Sequence, residues 1–91
     1  MAHPTGYRVE KDGFVFLLDA SNAAELKRTP DFEGREEPAV AEEFLRFRAE
    51  AWADSLAAAG AAPGEVSVRF EPHQHKVRLT RGEKLLFTAD I

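Results

Sequence analysis

The fold is decided by the stretch Pro38–Ala59, which reads PAVAEEFLRFRAEAWADSLAAA and is followed by Gly60. Proline suits the first position of an α-helix, and glycine is typical of the position just after its end. At 100° per residue, half of the helical wheel is largely apolar and the other half is polar. The first half contains Phe47, Val40, Ala51, Phe44, Ser55, Arg48, Ala41, Trp52, Leu45 and Leu56. The stretch therefore predicts one long amphipathic helix that packs across a sheet.

A β-hairpin is predicted on the N-terminal side of this helix. Tyr7–Glu10 alternates apolar and polar residues, and Asp12-Gly13 is a strong two-residue turn signal because both positions of a type I′ turn need positive φ. Phe14–Leu18 is apolar at both parities, which is typical of a strand covered on both faces. We expect this second strand to be central in the sheet or part of an interface.

The segment Asp19–Glu37 joins the hairpin to the long helix and is the least regular part of the chain. Ser21 or Asn22 could cap a short helix that ends by Arg28, because Pro30 disfavours helical geometry at the residue before it. The following residues, as far as Gly34, have the composition of a turn. This connection is long enough to act as a binding loop.

Three more strands are predicted after the long helix. Apolar and polar residues alternate from Val66 to Phe70, again over His75–Thr80, and again from Leu85 to Ile91. The order is β-β-α-β-β-β, with a short helix before the long one. We therefore predict a single α+β domain over residues 1–91, with an antiparallel sheet of about five strands and the long helix on one face.

The composition excludes several classes of protein. The 91 residues carry a net charge of -4, and 44% are hydrophobic and 31% charged, which is typical of a globular domain. The chain has no cysteine, so disulfides, thiolate zinc sites and cysteine nucleophiles are excluded. No apolar run approaches the roughly 20 residues of a membrane span, and no secretory signal is visible. We expect a cytoplasmic protein without a membrane partner.

The wide apolar half of the long helix suggests a surface for a partner protein. Arg48 lies near its middle, where burying an unpaired charge would be costly. On one interpretation, Val40, Phe44, Phe47 and Ala51 meet the sheet, while Leu45, Trp52 and Leu56 meet the 19–37 loop, a second subunit or a partner protein. Trp52 would then be a binding hot spot whose replacement by alanine weakens association without unfolding the domain. The predicted partner-binding residues are Leu45, Arg48, Trp52 and Leu56. On the other interpretation, the Arg48 stem lies over apolar surface and its head pairs with Asp19 or Glu25.

Nucleic-acid binding is the second hypothesis. If the apolar residues of the last three strands face the helix, their opposite face carries several basic side chains that could contact phosphates. These predicted nucleic-acid-binding residues are Arg69, Lys76, Arg78 and Lys84. The same face lacks the aromatic side chains on which single-strand RNA readers stack bases, so we expect nucleic acid less than a protein partner.

Metal binding and catalysis have little support in the sequence. Glu71, His73 and His75 would share one side of a continuous strand and could chelate zinc, but Pro72 indicates a hairpin turn at this point. No serine lies in a nucleophile-elbow context, and the glycines do not form a phosphate-binding loop. Asp19 is expected to be a helix cap. We predict no metal site, no cofactor and no enzymatic activity.

One family resemblance adds an alternative. The hairpin from Tyr7 to Leu18, the turn Pro30-Asp31-Phe32-Glu33-Gly34 and the helix after it resemble the partly degraded nuclease-like fold of HicB-type antitoxins. The resemblance covers less than half of the chain, with eleven additional residues, Asp19–Thr29, before the turn. It implies an antitoxin-like module, and we assign no family from it.

The leading functional hypothesis is a non-catalytic interaction domain, such as a small regulator, inhibitor or adaptor. It would bind a partner protein, or a second copy of itself, through the long helix and a sheet edge. Either Tyr7–Glu10 or Glu83–Ile91 could be an uncovered edge, which invites pairing, and the sequence alone does not say which strand it is.

Overall fold

Five strands form one sheet with two α-helices on one of its faces. The computed structural model describes residues 6–90. The strands pair in the order β1-β2-β3-β4-β5, so β1 and β5 are the two edges, as the sequence suggested. The elements are β1 Gly6–Lys11, β2 Phe14–Asp19, α1 Ala20–Lys27, a 3-10 turn Pro30–Phe32, α2 Glu37–Ala58, β3 Gly64–Glu71, β4 Lys76–Arg81 and β5 Lys84–Asp90.

The predicted α+β fold is confirmed, with one correction to the sheet. β1 and β2 are antiparallel, as are β3–β4 and β4–β5, but β2 and β3 are parallel, with Phe16 opposite Val66. Parallel strands need a long crossover connection, and the chain supplies one because both helices lie between β2 and β3. The entirely antiparallel sheet expected from the sequence is therefore wrong at this one pair.

The predicted turns and helix ends are largely confirmed, but α1 is capped by Asp19 and not by Ser21 or Asn22. Asp12 and Gly13 have φ angles of 53° and 87°, which is the left-handed geometry that the hairpin turn requires. Asp19 caps α1, because its Oδ1 accepts hydrogen bonds from the Asn22 N–H at 2.8 Å and the Ser21 hydroxyl at 2.7 Å. α2 ends where Gly60 takes a φ of +80°. Within residues 6–90, the helices are too short or too polar to cross a membrane.

The core lies between the sheet and the helix layer, and it corrects the predicted partner-binding surface. Trp52 is 2% exposed, and Leu45 and Leu56 are fully buried. The buried half of α2 is wide because two neighbours cover it, the β1–β2 side of the sheet and α1. These three side chains are therefore core residues and are not accessible to a partner.

Phe47 is a second correction, because it was expected in the core and lies on the surface. The helical wheel placed Phe47 and Ala51 among the residues that face the sheet, yet both are exposed, and Phe47 is 79% exposed. The sheet contacts the other side of the helix, where Trp52 packs on Phe16 of β2 with ring centroids 5.4 Å apart. A phenylalanine in the middle of a long helix is thus left on the surface.

Candidate interaction groove

An open groove of about 910 Å³ lies between α2, the segment after α1 and the turn that joins β3 to β4. Its floor consists of the buried side chains of Leu26, Phe44 and Phe70. Phe32 and Phe47 stand at its sides. This volume falls in the range of sites that take a small ligand or an anchoring side chain of a partner, and such sites are mostly apolar.

The aromatic floor continues into the core. The ring of Phe44 lies edge-on to Phe70, with centroids 6.1 Å apart, and edge-on to Trp52 at 5.8 Å. Trp52 in turn packs on Phe16 in β2. Edge-to-face contacts at these separations are favourable and fix the orientation of each ring. The floor is therefore held by side chains from α2, β2 and β3 together.

Arg48 lies beside the groove and is half-exposed. Its guanidinium carbon is 5.9 Å from the ring centroids of both Phe44 and Phe47, within the range of a cation–π contact. Neither carboxylate predicted to pair with Arg48 does so, since Asp19 caps α1, and Arg48 has no ion pair within residues 6–90. Of the predicted partner-binding residues, Arg48 alone borders the groove and stays accessible.

Charged side chains also line the rest of the groove rim. Glu25, Arg28 and Asp31 surround the end of α1 and the 3-10 turn. Glu43 on α2 accepts a hydrogen bond from Arg35, and this guanidinium lowers the pKa of the Glu43 carboxyl. The groove thus combines an apolar floor with rims of both signs.

His73 and His75 are at the mouth of the groove, in the turn between β3 and β4. Both are exposed, and His75 has a φ of 49°, so the strand does not continue through them. Within residues 6–90, no three side chains of the metal-binding types come close enough to hold an ion. The histidines belong to the rim of the groove.

Three of the predicted nucleic-acid-binding residues, Arg69, Lys76 and Arg78, share the open face of the sheet, which carries no helix. Lys84 pairs with Arg81 beyond a β-bulge and so belongs to the other face. Arg69 and Arg78 lie directly opposite each other on β3 and β4. Both guanidinium groups approach the Glu71 Oε1, Arg78 at 3.1 Å and Arg69 at 3.8 Å. Lys76 begins β4 and Lys84 begins β5, so they lie at opposite ends of that hairpin. The Glu71 carboxylate partly neutralises Arg69 and Arg78, so the open face is not a continuous basic patch.

The sequence analysis missed the residue that fixes α1 against the sheet. The side-chain amide of Asn22 donates to the Phe70 carbonyl at 2.8 Å and accepts from the Phe70 N–H at 2.5 Å. β2 ends at Asp19, so the amide takes the place that a further β2 residue would have beside β3. The sequence indicated only that Asn22 could cap a helix, because its distance from Phe70 along the chain hides the contact.

Tyr7 has the same role at the start of α2. Its hydroxyl donates to Oε2 of Glu37 at 2.7 Å, which links β1 to the first turn of the helix. This hydrogen bond to a carboxylate raises the pKa of the Tyr7 hydroxyl. Asn22 and Tyr7 therefore each fix one of the two helices on the sheet.

Comparison with protein-family models, with curated proteins and with solved structures gives no match. The comparisons assign no family, and the resemblance to HicB-type antitoxins gains no support from them. What can be inferred about function rests on the groove and on the open face of the sheet.

Proposed function

We propose that this chain is a non-catalytic, cytoplasmic protein-interaction domain whose partner inserts an apolar side chain into the groove. The observation that carries this proposal is the 79% exposure of Phe47 beside a floor built from Phe44 and Phe70. Exposed aromatic side chains next to a concave apolar surface are common at binding sites, because burial of such a ring contributes strongly to association.

The chemistry of the rim suggests what kind of partner segment fits. Arg48 is free to donate to a carboxylate or a backbone carbonyl while its stem stays over the two phenylalanine rings. Glu25 and Asp31, elsewhere on the rim, can accept from a basic or amide group. A short segment with one apolar anchor between polar residues satisfies both kinds of group, and tryptophan and arginine residues are enriched among such anchors and their pockets.

Affinity capture with matched variants tests the proposal. The wild-type chain, Phe47→Ala and Leu85→Ala are each used as bait, with and without nuclease, and the recovered proteins are quantified by mass spectrometry. Leu85 is the matched control because it is also an exposed apolar residue, at 55%, and lies on the sheet. We expect a nuclease-resistant partner that falls at least tenfold with Phe47→Ala and is unchanged with Leu85→Ala, since hot-spot truncations cost about 2 kcal/mol or more.

Two outcomes contradict the proposal. A partner that is lost equally with both variants, or with neither, does not use the groove. Recovery that disappears with nuclease and with added salt favours the nucleic-acid hypothesis, because phosphate contacts weaken steeply as salt rises. In that case Arg69 and Arg78 become the residues to replace.

A further inference from the structure

The floor of the groove has almost no exposed area in this structure. Leu26 is 1% exposed, Phe70 2% and Phe44 5%, although all three line the groove. An apolar side chain that enters from outside therefore gains little from contact with them, because burial stabilises a complex in proportion to the apolar area that leaves water. Stronger binding requires that part of the groove wall moves and uncovers the floor.

One wall of the groove has few ties to the rest of the domain. It is formed by residues 29–35, here called the strap, which run through the 3-10 turn Pro30–Phe32 and connect α1 to α2. The backbone hydrogen bonds of the strap stay inside it, as from the Arg35 N–H to the Phe32 carbonyl, or reach back to Leu26 in the last turn of α1. Within residues 6–90, no backbone hydrogen bond joins the strap to the sheet or to α2. Segments with so few ties open locally at a low cost in free energy.

Two side chains hold the strap in place. Phe32 is half-buried against the core and lines the groove beside the floor. Arg35 donates to Oε2 of Glu43 on α2 at 2.5 Å, and its guanidinium carbon lies 5.7 Å from the ring centroid of Phe32. Arg35 thus links the aromatic ring of the strap to α2 through one hydrogen-bonded ion pair. The side chains of Arg35 and Glu43 are 41% and 53% exposed, so water competes for both and the pair opens readily.

We propose that the strap is a gate over the groove floor, with the Arg35–Glu43 ion pair as its latch. When the latch is released, the strap moves away from α2 together with Phe32, and the floor becomes accessible to the apolar side chain of a partner. The open state is the minor one in the free chain, and a partner that binds only this state shifts the population towards it. This inference rests on the proposed function of the groove and adds the step that controls access to it.

A gate has an effect of opposite sign to that of a structural support. For a site that is accessible only in a minor state, the apparent dissociation constant is the intrinsic one divided by the open fraction. An exposed ion pair shifts such an equilibrium by about two- to fivefold. Loss of the latch therefore strengthens binding at the floor by that factor. If the ion pair merely kept the groove in shape, its loss would weaken binding instead.

Charge reversal of the latch tests the proposal. Glu43→Arg breaks it, and Glu42→Arg is the matched control, because the neighbouring residue on α2 undergoes the same charge change and also loses one ion pair, with Arg46 at 2.8 Å. Amide hydrogen exchange of Phe32 and Arg35, followed by NMR, reports the opening of the strap, since both amides are hydrogen-bonded within it. We expect both amides to exchange about two- to fivefold faster in E43R than in E42R.

Binding of Nile red, an uncharged apolar dye, reports access to the floor. Its dissociation constant is expected to fall about two- to fivefold in E43R and to stay unchanged in E42R. Because the dye carries no charge, the reversed charge does not itself attract it. Arg35→Glu breaks the same latch from the strap and is expected to repeat both effects. The double variant R35E/E43R restores an ion pair and returns both measurements towards the wild-type values.

Three results overturn the proposal. Exchange in E43R that is no faster than in E42R shows that the latch does not hold the strap. Faster exchange without tighter binding of Nile red, or with no binding at all, shows that the strap does not cover the floor. A double variant that stays open shows that the effect does not come from the lost ion pair. Each variant is first checked for cooperative unfolding, and R35E replaces E43R if that chain does not fold.

The gate and the proposed partner site fail separately. Hydrogen exchange and dye binding need no partner, so they test the gate alone. A captured partner that depends on Phe47, together with an E43R chain that behaves like E42R, retains the groove and removes the gate. A strap that opens in E43R, together with a partner indifferent to Phe47→Ala, retains the gate and removes the proposed function.

Discussion

Replacement of Asn22 by alanine is expected to destabilise the domain more than its position on a short helix suggests. Asn22 lies in the first turn of α1, and its amide makes two hydrogen bonds with the backbone of Phe70. Both are part-buried, so the Phe70 N–H and C=O lose partners that water replaces incompletely. The backbone N–H of residue 22 still donates to Asp19, and the helix cap is retained.

The magnitude follows from three contributions. Two hydrogen bonds at about 0.5–1.5 kcal/mol each give roughly 1–3 kcal/mol in favour of asparagine. Alanine is the better helix former by about 0.6 kcal/mol, which opposes this loss. The net expectation is a decrease of roughly 0.5–2.5 kcal/mol in the free energy of unfolding. With a urea m-value of about 1 kcal/mol/M for a domain of this size, the urea midpoint falls by roughly 0.5–2.5 M.

The assay is urea unfolding followed by the fluorescence of Trp52, the single tryptophan, which is buried. Ser21→Ala is the matched control, because it removes one exposed hydrogen bond to Asp19 from the same helical turn. The loss of this hydrogen bond and the higher helix propensity of alanine over serine roughly cancel, so we expect little change in the free energy of unfolding. A midpoint for Asn22→Ala equal to that of Ser21→Ala would refute the view that the amide holds α1 against β3.

Two further outcomes concern the core and the helix cap. Trp52→Ala is expected to cost about 3–5 kcal/mol, a large part of the stability of a small domain, and to abolish or greatly weaken cooperative unfolding measured by circular dichroism. A folded Trp52→Ala variant with near wild-type stability would contradict the assignment of Trp52 to the core. The pKa of Asp19 is lowered, mainly by the hydrogen bond from the Asn22 N–H and next by the one from the Ser21 hydroxyl. The ionised carboxylate therefore stabilises the domain above about pH 4, and this stabilisation is lost as the pH falls through the folded-state pKa. Urea midpoints between pH 6 and pH 2.5 should therefore fall more steeply for the wild type than for Asp19→Asn, which keeps an acceptor but does not titrate; parallel curves would contradict this.

Local signals in the sequence predicted the elements well. The Asp12-Gly13 turn, the end of α1 before Pro30 and the end of α2 before Gly60 each depend on backbone preferences of one or two residues. Such preferences act within a few positions of the chain and can be read without tertiary information. The alternation from Val66 onward likewise identified three strands. One face of β3 and of β4 is buried, whereas the apolar residues of β5 are at most half-buried and a bulge interrupts their alternation.

The position of the site could not be predicted, because it depends on which elements become neighbours. The sequence shows that α2 has a wide apolar half, but not that α1 covers part of it, so Trp52 and Phe47 were assigned to the wrong environments. The parallel pairing of β2 with β3 has the same origin, since no local signal specifies strand order. The contact of Asn22 with Phe70, 48 residues away, is a consequence of that pairing.

The groove follows from the early end of α1. At about 1.5 Å per residue, the 22 residues of α2 extend about 33 Å, whereas the eight residues of α1 extend only about 12 Å. Two helices about 10 Å wide would cover most of a five-stranded sheet if both were long. Pro30 stops α1 and the chain turns away through the 3-10 segment, so the groove stays open above the buried rings of Phe44 and Phe70, and the ring of Phe47 beside it remains exposed. A proline in the connecting segment, rather than any residue of the groove floor, is therefore the feature of the sequence that leaves the groove open.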